Sequence, residues 1–235
     1  MRAGSPRKDA PLSASWSDRA RRGDLENAEG RGFARLSRVV RVIAGELRGR
    51  RLKAPEGERT RPMLDRVREA LFDTLRPWIE GAFVLDLFAG SGALGIEALS
   101  RGARRVRFVE RAPAACLCLQ DNVSELDLSD AVELVRGDAL EVASWGERPA
   151  DIVFLDSPYR LLVELRARRS VLAALDELVR MHLAPEGVLV FHAPHRMVRA
   201  AEFAADLVVR ERVYGSNALW YVQGATATSG QGEEP

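Results

Sequence analysis

One stretch limits what this chain can become: Phe83-Val84-Leu85-Asp86-Leu87-Phe88-Ala89-Gly90-Ser91-Gly92-Ala93-Leu94-Gly95-Ile96-Glu97. An apolar run, Phe83 to Phe88, ends in a glycine-rich turn. It passes straight into a helical pattern of Leu94, Ile96, Ala98 and Leu99 that stops at Gly102. Strand, glycine turn and helix, in that order, open a doubly wound nucleotide-binding fold. Gly90 and Gly92 allow a tight turn and close backbone approach to a ligand, and Gly95 lets the helix lie against the sheet. Taken alone, Gly90-x-Gly92-x-x-Gly95 fits a dinucleotide site as well as any other. Two features narrow it: Asp86, shortly before Gly90, and a tetrapeptide far downstream, Asp156-Ser157-Pro158-Tyr159.

The rest of the chain alternates around that unit. Strands are expected at 105–110, 132–135, 151–155 and 187–191, with helices at 91–101, 113–126, 170–183 and 196–205. Two last strands, 207–213 and 218–222, form a hairpin around Gly215-Ser216-Asn217. Repeated βα units imply a parallel sheet buried on both faces. The fold class is therefore α/β: a doubly wound, mostly parallel seven-stranded sheet closed by an antiparallel C-terminal hairpin. Ahead of it, Val39, Val40, Val42 and Ile43, punctuated by Gly45 and Gly49, suggest a small β-hairpin with a basic rim. Thr60-Arg61-Pro62 supplies a helix start. Leu64, Val67, Leu71 and Leu75 make that helix's buried stripe, and Arg61, Arg66 and Arg68 fall off it. Residues 1–37 read as a disordered basic leader and 224–235 as a disordered tail. Residues 38–80 form an N-terminal contact segment, and 81–223 the main domain.

Composition excludes several classes. No apolar run among the 235 residues approaches a membrane span of ~20, and the amino terminus lacks a secretory core, so a cytoplasmic location is expected. Cys116 and Cys118, one residue apart on an expected helix, point in different directions and read as packing residues. His192 and His195, with Pro194 between them, lack further ligands and read as loop residues, so no metal site is expected. Net charge is +1 but uneven. Residues 1–80 hold 19 Lys and Arg against 12 Asp and Glu, and the remainder 16 against 22. A basic front on an acidic body suits a polyanionic partner.

Ligands of such sheets bind beyond the carboxyl ends of the strands, near the reversal of strand order. Carboxylates stand there in series. Asp86 precedes the glycine turn, Glu110 is placed to accept from ribose hydroxyls, Asp138 (beside Ala139) to meet an adenine amino group, and Asp156 ends the fourth strand. Singly, Glu110 or Asp138 has the alternative of a helix cap or surface ion pair. Four together point to a cleft, because buried charges without ligand or partner are costly. Asp156 to Tyr159 then separates the cofactor classes. A nicotinamide enzyme has no use for this tetrapeptide, but an enzyme that methylates a planar amino group does. The lone pair of such an amine is delocalised, and acceptors aimed at its N–H groups favour attack and stabilise charge developing on nitrogen. The Asp156 carboxylate and the Ser157 carbonyl are suitable acceptors, Pro158 stiffens the turn, and Tyr159 offers a stacking face.

These segments resemble a family. Arg41 to Gly45, Gly49-Arg50-Arg51-Leu52, Thr60-Arg61-Pro62, Asp65 to Phe72, Val84 to Gly102, Phe108-Val109-Glu110 and Phe154-Leu155-Asp156 are together similar to the bacterial 16S ribosomal RNA guanine-N2 methyltransferases (RsmD-type). Those are class I S-adenosylmethionine-dependent enzymes. The resemblance covers about residues 38–223. It implies S-adenosylmethionine contact by Asp86, Phe88, Gly90, Ser91, Gly92, Glu110, Asp138 and Ala139. It further implies a target base held by Asp156, Ser157, Pro158 and Tyr159. RNA contact would come through Arg50, Arg51, Lys53, Arg61 and Arg66. The expected partner is ribosomal RNA in an assembling small-subunit particle, bound by a monomer. Two departures stand out: Ser157 where the family usually has Pro, and Met63-Leu64 where small hydroxylated residues are usual. The rival readings are the same chemistry on adenine N6 or a protein glutamine, a non-catalytic RNA-binding or assembly protein, and, weakest, a dehydrogenase.

Overall fold

The computed structural model describes residues 40–54 and 63–225, all within one compact unit, Leu36–Pro235. The leader 1–37, the Thr60-Arg61-Pro62 block and the tail beyond Ala225 lie outside the described residues. Two short strands, β1 (Val40–Arg41) and β2 (Arg51–Leu52), pair antiparallel as the expected hairpin. Helix α1 (Asp65–Ile79) follows. Then come β3 (Phe83–Leu87), α2 (Ala93–Ser100), β4 (Arg105–Glu110), α3 (Pro113–Glu125), β5 (Val132–Arg136) and β6 (Ala150–Leu155). The chain closes with α4 (Tyr159–Val163), α5 (Leu165–Glu177), β7 (Leu183–Pro194), β8 (Leu207–Tyr214) and β9 (Asn217–Gly224).

The last seven strands form one sheet in the order β5-β4-β3-β6-β7-β9-β8, parallel except where β9 pairs with β7 and β8. Every residue of β3 is buried, as a strand at the centre of a doubly covered sheet requires. Its side chains alternate between two cores. Val84 joins Phe72, Leu94, Ile96, Phe108 and Phe154 on the face covered by α1, α2 and α3. Phe83, Leu85 and Leu87 join Leu155, Leu175 and Trp220 on the face covered by α5. Val42, Leu52, Val67 and Leu71, from the hairpin and α1, belong to the first of these cores. Gly95 does what its spacing suggests: a Cβ there would lie 2.3 Å from the Phe108 ring on β4, so α2 could not sit so close to the sheet with any larger residue.

Four local expectations are corrected. Helix α1 starts at Asp65, and Leu64, at its N-cap, makes no side-chain cap and is 46% exposed instead of lying on the buried stripe. Arg68, expected off that stripe, is only 2% exposed, because its guanidinium turns inward to the Arg41 carbonyl and to Asp65. The helix expected from Ser170 begins earlier, at Leu165. The charged run Glu164 to Arg169 masked its first turn, and an ensuing π-turn, Leu178–His182, ends the helix before β7. No helix forms over 196–205. Arg196 adopts φ 68°, which no right-handed helix accommodates, and only a 3₁₀ turn forms, at Ala200–Glu202.

Candidate cofactor and catalytic site

Strand order reverses between β3 and β6, and their carboxyl ends lie level, with Leu87 opposite Leu155. In sheets of this kind ligands enter the crevice at such a reversal, here the space between the glycine turn and Asp156. The turn alternates unusual conformations: Phe88 at φ 61°, Gly90 at 55° and Gly92 at 82°. A non-glycine residue at positive φ is strained, and such strain concentrates at ligand sites. Glu110 holds the turn from the neighbouring strand. It accepts the Gly90 N–H at 2.9 Å through Oε2, and the Arg111 and Ala112 N–H groups at 2.8 Å through Oε1. A carboxylate offers about four acceptor positions, so three backbone donors leave room for one more.

Asp86 is buried beneath the turn and accepts the Gly95 N–H of α2 at 2.9 Å. Burial pushes its carboxyl well above the usual range, and the charges of Asp156 and Glu110 push in the same direction. Three carboxylates thus converge at the crevice, and a cationic ligand would relieve their repulsion. At the end of β5, Asp138 accepts the Leu140 N–H and pairs with Arg111 at 3.2 Å. Ala139 is buried, and its carbonyl accepts the Trp145 indole N–H. The Ser91 carbonyl accepts from the Asn122 side chain of α3.

Asp156 to Tyr159 forms a compact network that corrects one reading of the sequence. His192 is not a loop residue. It lies in β7, is 3% exposed, and its Nδ1 stands 2.8 Å from Asp156 Oδ1 while its Nε2 stands 3.0 Å from Asn217 Oδ1. The Tyr159 hydroxyl donates to the same Asn217 oxygen at 3.1 Å, and its ring meets the imidazole edge-on at 5.9 Å. The amide nitrogen of Asn217 donates to the Tyr214 carbonyl, which turns its oxygen toward His192. Both ring nitrogens therefore face acceptors, an arrangement that suits the imidazolium. Burial alone would lower the His192 pKa. The Asp156 charge and the hydrogen bonds from Asp156 and Asn217 outweigh it and hold it above the ordinary histidine range. Burial, then Asp156, raises that of Tyr159. Ser157 is buried, and its hydroxyl has no hydrogen-bond partner. His195 is a turn residue, as expected. Among the described residues no group of three or more His, Cys, Asp or Glu could hold a metal ion, and no helix is long and apolar enough to cross a membrane.

The expected RNA contacts are only partly gathered. Arg50 donates to the Glu125 carbonyl, and Lys53 pairs with Glu125 and Asp121, so both are tied to the end of α3. Arg51 is exposed. Arg66 is exposed beside the β8–β9 turn, 3.8 Å from where a Gly215 side chain would start, and so stands near Asn217. Arg61 lies outside the described residues. Sequence reasoning missed His192, Asn217, Asn122 and Glu97. Two signals were available. Strict alternation places His192 on the same face as Val188 and Val190, and Glu97 interrupts an apolar helix segment.

Comparison with known proteins gives a consistent picture. A family model described as Conserved hypothetical protein 95 matches residues 40–223. A Bacillus subtilis protein, YlbH, which carries a provisional rRNA methyltransferase name, is 39% identical over 181 residues, spanning 75% of this chain and 94% of its own. Ribosomal RNA small subunit methyltransferase D of Escherichia coli is 43% identical over 121 residues, 52% of this chain and 61% of that protein. Among solved structures, a provisionally named methyltransferase of Escherichia coli, yhhF, superposes with a TM-score of 0.65 at 33% identity. That superposition covers 80% of this chain and 98% of the other.

Proposed function

This chain belongs to the Conserved hypothetical protein 95 family, and from that premise we propose that it is a ribosomal RNA methyltransferase acting on the exocyclic N2 amino group of a guanine in small-subunit RNA. The observation that carries the reading is the meeting of Asp86, Glu110 and Asp156 where strand order reverses. Such a carboxylate cluster suits S-adenosylmethionine, whose ammonium and sulfonium groups are both positive. Asp86, Glu110, Asp138 and the turn from Phe88 to Gly92 would hold that cofactor, with Ala139 beside them. When bound, it supplies an electrophilic methyl group.

The protein's own work lies in Asp156 to Tyr159. The Asp156 carboxylate and the Ser157 carbonyl accept hydrogen bonds from the target amine and so aim its lone pair. Pro158 fixes the turn that presents both, and the Tyr159 ring receives a base that has left its stack, at a cost of a few kcal/mol. After transfer, the surplus amine proton leaves to Asp156 or to water. An acceptor-only carboxylate matches guanine, which presents donors at both N1 and N2, better than adenine. The proposed substrate is an assembling small-subunit particle, and the proposed enzyme a monomer.

Small-subunit particles from a strain lacking its own guanine-N2 enzyme, incubated with this protein and labelled S-adenosylmethionine, test the reading by nucleoside mass spectrometry. Label in N2-methylguanosine, abolished by Asp156→Ala, is expected. Label in N6-methyladenosine instead would overturn the base assignment, and failure to bind S-adenosylhomocysteine would overturn the cofactor.

A further inference from the structure

We infer that His192 is a positioning residue for this reaction: clamped between Asp156 and Asn217, it sets the Asp156 carboxylate and, through Asn217, the Tyr159 ring as one unit. The inference rests on the methyltransferase reading given above and goes beyond it in assigning a part to β7 and β9.

The three elements meet because of register. Leu155 lies opposite Phe191, so Asp156 and His192 are the next residues on adjacent parallel strands. Pro194 lies opposite Asn217, which brings the start of β9 to the same edge. Phe154 pairs with both Asp86 and Val190, and two residues further on the pleat points Asp156 and His192 to that same face. The charged and titratable groups around the imidazole are Asp156 at the end of β6 and Tyr159 at the start of α4. Asp86, on β3, faces Asp156, and burial, then the Asp156 charge, pushes its carboxyl up. Asn217 of β9 closes the far side.

A positioning role accounts for features that packing does not. A buried ion pair adds little stability over an apolar pair of the same size. The clamp instead fixes geometry. His192 takes Asp156 Oδ1, which orients the carboxylate and leaves Oδ2 for the substrate amine. Asn217 Oδ1 accepts from both His192 and Tyr159, so imidazole and phenol cannot move independently.

The substitutions separate the two ends of the clamp. Asn at 192 can present a donor where Nδ1 stands, and Gln one nearer Nε2. With the full chain, His192→Ala is expected to lower kcat on the order of 10–100-fold, as misplacement of a catalytic group does, with the KM for S-adenosylmethionine within about twofold of the parent. His192→Asn is expected to recover most of the loss, and His192→Gln less. Parent kcat should fall as pH rises through the His192 titration, and the Asn variant should lack that limb. Imidazole NMR gives a readout free of turnover. With three histidines in the chain, the His192 resonance should titrate above the ordinary range and return toward it in Asp156→Asn. Parent-like kcat in His192→Ala, or an alkaline limb surviving in His192→Asn, would overturn the assignment. Should the Ala variant fail to fold, the Asn variant and the parent pH profile still decide it. A parent that methylates no guanine while His192 titrates as expected would sink the methyltransferase reading first, and this assignment with it.

Discussion

The side-chain amide of Asn122 donates to the Ser91 carbonyl at 2.9 Å while its two ends grip both backbone groups of Lys53. One buried residue of α3 thus ties the glycine turn to the basic N-terminal segment. Asn122→Ala leaves three backbone groups without their partner, and each buried orphan costs about 1–3 kcal/mol. The expected loss is about 3 kcal/mol of unfolding free energy, with S-adenosylhomocysteine binding weakened severalfold because Ser91 is no longer held. Urea denaturation and calorimetric titration measure the two. Weakened stability with unchanged binding would show that the turn is set by Glu110 alone.

Glu97 couples the same segment to α2. It is fully buried and accepts the Ile43 and Ala44 N–H groups at 2.7 and 3.0 Å and the Arg101 side chain at 2.7 Å. Glu97→Ala removes all three contacts and leaves Arg101 without its buried partner, at a cost of about 3–5 kcal/mol. Hydrogen exchange gives the sharper check. The Ile43 and Ala44 amides should lose protection while Val84 and Val106, deep in the sheet, keep theirs relative to global stability.

The central unit was readable because its signals are local. An apolar run ending in glycines specifies β3, its turn and α2, and carboxylates at strand ends follow from the fold. What could not be read depends on contacts between distant residues. Glu97 and Asn122 look like ordinary helix polars, and the N-terminal backbone groups they hold, at Ile43 and Lys53, lie 54 and 69 residues away. Arg68 is buried for the same kind of reason, since the carbonyl it meets belongs to β1. His192 was misplaced because Pro194 resembled the start of a loop, whereas β7 runs through it to meet β9. Asn217 sat in a turn signature, and only the two-residue β8–β9 connection shows that it opens a strand.

Asp86 carries a pH dependence of definite sign. Its folded pKa lies above its unfolded value, because of burial first and then the Asp156 and Glu110 charges. A carboxyl shifted this way contributes its stability below the unfolded value, ~3.9, and loses it as pH rises through the folded value. At neutral pH it is therefore a cost that ligand binding relieves. Asp86→Asn keeps an acceptor for the Gly95 N–H and is expected to raise stability by about 1 kcal/mol near pH ~7 and to leave it unchanged near pH ~4. Cofactor affinity should fall in the same variant. An equal gain at both pH values would mean that charge is not the cause.

Ser157 tests which atom of its residue matters. The hydroxyl is buried without a partner, so it contributes no bond that alanine would lose. Removing an unsatisfied polar group is neutral or stabilising by about 1 kcal/mol. The carbonyl proposed to accept from the target amine stays in place. Ser157→Ala should therefore melt at or above the parent temperature and keep methylation within about twofold. A large loss of turnover with a retained fold would assign the hydroxyl itself a role with the substrate.

The basic residues should differ in what they give to RNA binding. Arg51 and Arg66 are exposed and form no ion pair among the described residues, whereas Lys53 is paired with Glu125 and Asp121. A phosphate must displace those partners to engage Lys53 but meets no competitor at Arg51 or Arg66. Each free arginine that neutralises a phosphate releases counterions, so Arg51→Ala and Arg66→Ala should each flatten the salt dependence of binding by about one contact. Arg66 stands beside the turn that carries Asn217, so its loss should also lower turnover at saturating RNA, which Arg51→Ala should not. Lys53→Ala is expected to change the slope least. Filter binding across a potassium chloride series measures all three. A Lys53→Ala slope change equal to that of Arg66→Ala would mean that the α3 carboxylates yield the lysine freely.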